Sequence, residues 1–205
     1  MQLCDKVILV DCDGVLCDWI YAFDIWMARH GYEISQPHLY KVNERFDLLP
    51  SEGKKLARMF NESAWIRKLP PLRDAIKYVR KLHEEHGYVF RVISSLSDDE
   101  YSQHLRTKNL RELFGDTVFE SYTYLDTGDD KDEALEPYRD SGCWWIEDKP
   151  ENAELGSKLG LSSILVNHDH NAKWGLFDDM INIKNKLEFQ RVNNWKEIYE
   201  LIVGM

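Results

Sequence analysis

The chain has 205 residues, 43% hydrophobic and 30% charged, enough for one sizeable domain with an insertion. Its 26 basic and 36 acidic side chains give a formal net charge of −10, which counts against wrapping a nucleic-acid backbone but allows a small anionic substrate where positive charge is supplied locally. The four cysteines show no zinc spacing and suggest no disulfide framework, and there is neither a signal-peptide core at the start nor an apolar run of transmembrane length, so a reduced cytoplasmic setting without membrane contact is expected.

The apolar run Val7 to Val10 reads as a buried strand that delivers two carboxylates, Asp11 and Asp13, at its end. Gly14 follows, where the absence of a Cβ lets the backbone turn sharply beside a bound group. Two like charges at the mouth of a strand oppose each other's ionisation, and a divalent cation with oxygen ligands would remove that penalty. Asp18 to His30 carries aromatic and aliphatic residues at helical spacing, with Gly31 as a C-cap. Ser51 is expected to cap a basic helix over 52–60 that carries Lys54, Lys55 and Arg58, a face that reads as solvated. Pro70-Pro71 closes this stretch. It shows no strand alternation, and residues 18–70 read as a small helical cap over a core made of 1–17 and 71–205.

Beyond the cap, a helix is expected from Leu72 to His86, closed by Gly87, then a strand over 88–93 ending in Ser94-Ser95. Ser97-Asp98-Asp99 starts a helix that Gly115 stops, and Val118 to Leu125 reads as a strand. Lys131 opens a short helix, and Cys143 to Ile146 is a strand ending in Glu147-Asp148. A helix over 151–159, a strand over 163–166 and a closing helix from Trp195 to Val203 complete the chain. Strands alternating with helices indicate an α/β fold with a parallel sheet, which binds ligands at the carboxyl ends of its strands. Asp11/Asp13, Ser94/Ser95 and Glu147/Asp148 all fall at such ends, so polar clusters far apart in sequence converge on one face.

The strand followed by Asp-x-Asp-Gly resembles motif I of the haloacid dehalogenase (HAD) superfamily, and the order Asp11-x-Asp13-Gly14, Ser94, Lys131, Glu147-Asp148 matches its motifs I to IV. The resemblance implies a Rossmann-type parallel core and a magnesium-dependent phosphatase, with Asp11 as nucleophile and Asp13 as acid/base. Asp11, the Asp13 carbonyl and Asp148 would hold Mg²⁺, with Glu147 ligating directly or through water. Ser94, Ser95 and Lys131 would hold the phosphate. Taken alone, Ser94-Ser95 is a turn and Lys131 a solvated helix start, whereas an acidic pair beside tryptophans is hard to place without a metal.

The wording is similar, over most of the chain, to the 5′(3′)-deoxyribonucleotidase branch. The likeness is carried by FNESAWIRKLPPL (60–72), KNLRELFGDTVFESYTYLDTGDDK (108–131), IEDK (146–149), His170-Asn171 and Asn194 to Ile198. Two positions depart from that branch. Ser94-Ser95 stands where Thr-Ser is common, and Glu147 where Asp is typical. The resemblance implies a (deoxy)ribonucleoside monophosphate as substrate, with Trp65, Phe46 and Trp19, in that order, as aromatic candidates for stacking on the base. It is also compatible with a homodimer. A sugar phosphate or other small phosphometabolite is the alternative substrate. A nucleic-acid end-processing phosphatase is disfavoured by the acidic charge, and a non-catalytic binding module by the intact acidic and lysine set. His168-Asp169-His170 reads as a solvated loop rather than a second metal site.

Overall fold

The computed structural model describes residues 6–172 and 189–204. Its centre is β1 (Val7–Val10), four residues that are all buried. No polar residue alternates within them because both faces of the strand are covered, as parallel sheets require. Ile8 and Val10 face one apolar core, and Val7 and Leu9 face another on the opposite side of the sheet.

The remaining strands are β2 (Val89–Ser95), β3 (Phe119–Leu125), β4 (Trp144–Glu147), β5 (Ser162–Val166) and β6 (Gln190–Val192). All six pair in parallel, in the order β3-β2-β1-β4-β5-β6. From β1 the chain builds outward through β2 and β3 on one side, then returns to add β4, β5 and β6 on the other. That reversal opens a crevice at the carboxyl ends of β1 and β4. Val10 lies opposite both Val92 and Ile146, so Asp11 and Glu147 leave the sheet at one level.

The helices are α1 (Trp19–Arg29), α2 (Val42–Arg45), α3 (Pro50–Asn61), α4 (Ala75–His86), α5 (Glu100–Phe114), α6 (Asp132–Leu135), α7 (Pro150–Lys158) and α8 (Trp195–Val203). Val79 and Leu82 of α4, Leu105 and Leu110 of α5 and Ile198 and Ile202 of α8 cover the Ile8/Val10 face. Leu135 of α6 and Leu155 of α7 lie on the other face. The helical segment α1–α3 leaves the core after Cys17 and returns at Pro70. There Asp18 N donates to Pro70 O at 2.9 Å, and Leu72 N to Leu16 O at 2.8 Å. Its interior is aromatic: Phe23 stacks on Trp19 at 4.5 Å and meets Phe60 and Phe46 edge-on at 5.2 and 5.9 Å. Those rings run continuously into the sheet core.

Several boundaries differ from those expected. α3 starts at Pro50, with Leu49 before it and no side-chain cap, so Ser51 lies inside the helix. Proline suits the first helical position because it has no N–H to leave unsatisfied there. α4 begins only at Ala75. β2 continues through Ser94 and Ser95, which pair with Tyr124 and Leu125. The short α2 and the three-residue edge strand β6 lack enough periodicity to be read from sequence. Cys143 is disulfide-bonded, where no bridge was expected, while Cys12 and Cys17 are buried free thiols. Residues 1–5, 173–188 and 205 of the expected core lie outside the described residues.

Candidate active site

The residue after β1, Asp11, is 5% exposed, and its carboxylate meets a lysine rather than solvent. Lys131 precedes α6, and its Nζ lies 2.9 Å from Asp11 Oδ1 and 2.7 Å from Glu147 Oε2. A buried ammonium is tolerated only when opposite charges compensate its lost hydration. Burial alone would lower the Lys131 pKa; the two carboxylates outweigh it and leave the group raised and charged. Burial also raises the Asp11 carboxyl, against the pull of Lys131, and raises Glu147 in the same way.

The acidic pair after β4 divides into two environments. Glu147 uses both oxygens: Oε2 on Lys131, and Oε1 as acceptor for the backbone N–H groups of Asp148 and Lys149 at 3.1 and 3.0 Å. Asp148 is fully buried, yet neither of its carboxylate oxygens has a hydrogen-bond partner. Leaving a buried carboxylate without partners is unfavourable by at least as much as the loss of a charged hydrogen bond. Asp11, Glu147 and Asp148 each offer an oxygen, all within 4.8 Å of one another. This buried, all-oxygen donor set, with no hydrogen bond to either Asp148 oxygen, fits a hard divalent cation such as Mg²⁺.

The loops around Asp148 hold it by its backbone. Its carbonyl accepts from Asn171 Nδ2 at 2.8 Å, and His170 Nε2 lies 3.3 Å from the same oxygen and 3.4 Å from Oδ2. His168 Nε2 meets Gly14 O at 2.7 Å. Thus the His168–Asn171 loop ties the turn after β1 to the turn after β4. Gly14 has φ +74°, and a Cβ there would stand 2.3 Å from Asp148 Oδ2. Only glycine satisfies both the turn and the carboxylate.

Asp13 is held by a residue that sequence reasoning missed. Arg106, completely buried in α5, donates through Nη1 to Asp13 Oδ1 at 2.7 Å, and its Nη2 lies 3.4 Å from Oδ2. Burial raises the Asp13 carboxyl, opposed by the Arg106 guanidinium. One signal was present in the sequence: at helical spacing Arg106 shares a face with Leu110 and Leu113, and an arginine on a face turned to the core must find a buried partner. Ser94 is fully buried, and its hydroxyl has no hydrogen-bond partner. Ser95 Oγ donates to Asp129 O at 2.9 Å.

Two cavities open on this cluster. One, of about 330 Å³, is lined by Gly14, Asp148, His168 and His170, with Trp19 and Tyr40. The other, of about 340 Å³, lies between the core loops and the helical segment; Asp13, Ser95 and Lys149 face Trp19, Tyr40 and Lys54 across it. Trp19 lines both, its Nε1 donating to Asn61 Oδ1 at 2.9 Å. Phe46 packs on Phe23 inside the helical segment, and Trp65 lies under the Arg29 guanidinium at 4.8 Å. Neither lines these two cavities. Tyr40, absent from the expected set, lines both because the chain between α1 and α2 folds over the crevice.

No family model matches the chain. It is 30% identical over 117 residues to an uncharacterised 32.4 kDa protein encoded in the Gp30-rIII intergenic region of phage T4; the match takes in 52% of this chain and only 40% of that protein. Solved structures resemble it over nearly the full length. A HAD-type hydrolase from Bacillus subtilis, solved with magnesium, superposes with a TM-score of 0.60 at 12% identity, covering 96% of this chain and 98% of its own. A protein described as a phosphatase from Clostridium acetobutylicum gives 0.63 at 13% identity, covering 98% and 99%. The L-2-haloacid dehalogenase of Xanthobacter autotrophicus, with chloropropionic acid covalently bound, gives 0.59 at 11% identity, covering 98% and 99%. The fold is therefore that of the HAD hydrolases, a Rossmann-type parallel sheet. The same fold carries hydrolysis of more than one kind of bond, so the reaction must be argued from the site.

Proposed function

We propose that this chain is a magnesium-dependent phosphomonoesterase of the HAD superfamily, in which residues 18–70 act as a cap over the catalytic core. The observation that carries this reading is the buried Asp11–Lys131–Glu147–Asp148 cluster, in which neither Asp148 oxygen has a hydrogen bond and only His170 Nε2 approaches one of them, at 3.4 Å. A dianionic phosphate approaches a carboxylate nucleophile only where positive charge offsets the repulsion. Lys131 supplies one such charge; a bound Mg²⁺, held by Asp11, Asp148 and the Asp13 carbonyl, would supply the rest by screening the phosphate oxygens. Glu147, with both oxygens engaged, orients Lys131 and the Asp148 backbone, and any contact it makes with the cation is indirect.

In this mechanism an Asp11 carboxylate oxygen attacks phosphorus, the bond to the ester oxygen breaks, and an aspartyl-phosphate forms. The departing oxygen takes its proton from Asp13. Asp13 then takes a proton from water as that water attacks the aspartyl-phosphate, which frees inorganic phosphate and restores Asp11. Arg106 anchors Asp13 Oδ1 and leaves the more loosely held Oδ2 for proton transfer. Ser94, Ser95 and Lys131 hold the phosphate oxygens. A dehalogenase displaces a halide from a carbon centre, which does not need a cation to screen the carboxylate nucleophile from a dianion.

Among phosphomonoesters, (deoxy)ribonucleoside monophosphates are the first choice, supported by the likeness to the 5′(3′)-deoxyribonucleotidase branch and by the aromatic cavity lining of Trp19 and Tyr40. A sugar phosphate is the alternative. No helix of the described residues is long and apolar enough to cross a membrane. A cytoplasmic setting, a small-molecule partner without stable nucleic-acid binding, and a homodimer accompany this reading. The test is phosphate release from nucleoside 5′- and 3′-monophosphates and sugar phosphates, with magnesium, with EDTA, and with Asp11→Asn as the blank. Magnesium-dependent release that Asp11→Asn abolishes is the expected result. Release that survives Asp11→Asn sinks the mechanism, and preference for sugar phosphates sinks the nucleotide assignment.

A further inference from the structure

The cavity that contains Asp13 has a charge balance opposite to that of the protein. The chain carries a net charge of −10, yet Lys41, Lys54 and Lys149 line this space, and among the described residues Asp13 is its only acidic one. That carboxylate is already matched by the buried Arg106 behind it. Lys54 has no ion-pair partner among the described residues, and Lys149 lies over the Tyr40 ring at 5.6 Å. Lys41 reaches Glu44 at 3.7 Å, with the lysine side chain 74% exposed, a pair too solvated to neutralise it. Lys41 and Lys149 also line the adjoining cavity, whose acidic residues Glu44, Asp129, Asp130 and Glu151 do not line this one, and Lys54 lines this one alone of the two. The neighbouring basic residue Arg58 is excluded as well, because it is engaged by Asp126 and by Glu62.

Asp13 also fixes which part of a substrate enters. A group that protonates the departing oxygen must lie within hydrogen-bond reach of it, so the cavity lined by Asp13 receives the leaving group. The transferred phosphate stays with Asp11 and Lys131, and Lys131 does not line this space. The three lysines therefore face the part of the substrate that departs. We propose that the substrate is a phosphomonoester whose leaving group carries a second phosphate, as in a nucleoside or sugar bisphosphate, held by Lys41, Lys54 and Lys149. This rests on the phosphomonoesterase reading and narrows its substrate. The lysines are exposed or half-buried, so they act as a local field that draws the second anion in rather than as a closed binding pocket.

The test compares kcat/KM for matched pairs: a nucleoside 5′-monophosphate against its 3′,5′-bisphosphate, and ribose 5-phosphate against ribose 1,5-bisphosphate. The second phosphate is expected to raise kcat/KM about tenfold at low ionic strength for at least one pair, with the advantage shrinking at high salt. Lys54→Gln and Lys41→Gln should each lower the bisphosphate-to-monophosphate ratio, and the double variant should bring it towards one. Lys55→Gln, an exposed neighbour that does not line the cavity, should keep the ratio. These are surface substitutions, and circular dichroism verifies that each variant is folded. Equal or better turnover of the monophosphates, or a ratio untouched by Lys54→Gln and Lys41→Gln, overturns the proposal while leaving the phosphatase intact. Absence of phosphate release from every ester overturns the phosphatase reading, and this one with it.

Discussion

The two sides of the crevice are built by different physics. On the core side, Asp11, Lys131, Glu147 and Asp148 are buried, and strand register and short ion pairs hold them in place. On the helical side, Trp19 is fixed by aromatic packing while Tyr40, Lys41 and Lys54 come from half-buried or exposed stretches. Buried charges tolerate little displacement, because their compensation comes from a few partners at fixed short distances, as Lys131 has in Asp11 and Glu147. Exposed lysines and a loop tyrosine can change without unfolding anything. On the proposed reading the chemistry belongs to the core and the choice of substrate mainly to the helical segment, and substitutions on the two sides should separate accordingly.

The largest effect should come from the core. Asp11→Asn is expected to lower kcat on the order of 10⁴-fold or more in a steady-state phosphate assay while the far-ultraviolet spectrum stays native. Arg106→Met removes the guanidinium from a buried pair and should destabilise the fold by about 3–5 kcal/mol in urea unfolding, because Asp13 loses its counter-charge. A loss under about 1 kcal/mol would mean that the pair is not formed. Next in size is the cation. Mg²⁺ at roughly a hundred times its Kd should stabilise the wild type by about 2.7 kcal/mol, seen as a raised Tm, and Asp148→Asn should remove most of that shift. A full shift in that variant would move the cation site elsewhere.

The helical side should respond in KM. Trp19→Phe is expected to raise KM for nucleotides by about two- to tenfold, with less change for p-nitrophenyl phosphate, whereas Trp65→Ala should leave both nearly unchanged, since Trp65 lies outside both cavities. A nucleotide-selective effect at Trp65 would restore it as the stacking residue. The smallest effect is a control remote from catalysis. Asp99 Oδ2 accepts from Ser102 N at 2.7 Å and from Ser102 Oγ at 2.6 Å, and these bonds lower its pKa. A depressed carboxyl contributes stability above its unfolded pKa and loses it as pH falls through the folded value. The Tm difference between wild type and Asp99→Ala should therefore be present at neutral pH and close in acid.

Much of the site is legible in the sequence. An apolar strand ending in Asp-x-Asp-Gly, a second ending in serines and a third ending in an acidic pair place their polar residues together once the sheet is parallel, because such strands open their carboxyl ends on one edge. Helix ends set by local chemistry are readable too: Gly87 follows α4, the Ser97–Asp99 cluster precedes α5 and α8 spans Trp195–Val203, all as expected. These features depend on neighbours a few residues away, and the sequence displays those neighbours directly.

What only the tertiary structure decided depends on groups that meet across the chain. Arg106 and Asp13 are 93 residues apart, and nothing local says that one buried helix face points at the turn after β1. The division between Glu147, with both oxygens hydrogen-bonded, and Asp148, with neither hydrogen-bonded, follows from where Lys131 and two backbone N–H groups fall. The same holds for Tyr40 over the crevice and for lysines gathered around Asp13 in an acidic protein. A one-dimensional pattern sets which residues are buried and where elements stop. Side-chain direction across packed elements, which sets partners, cavities and local charge, exists only after the chain has folded.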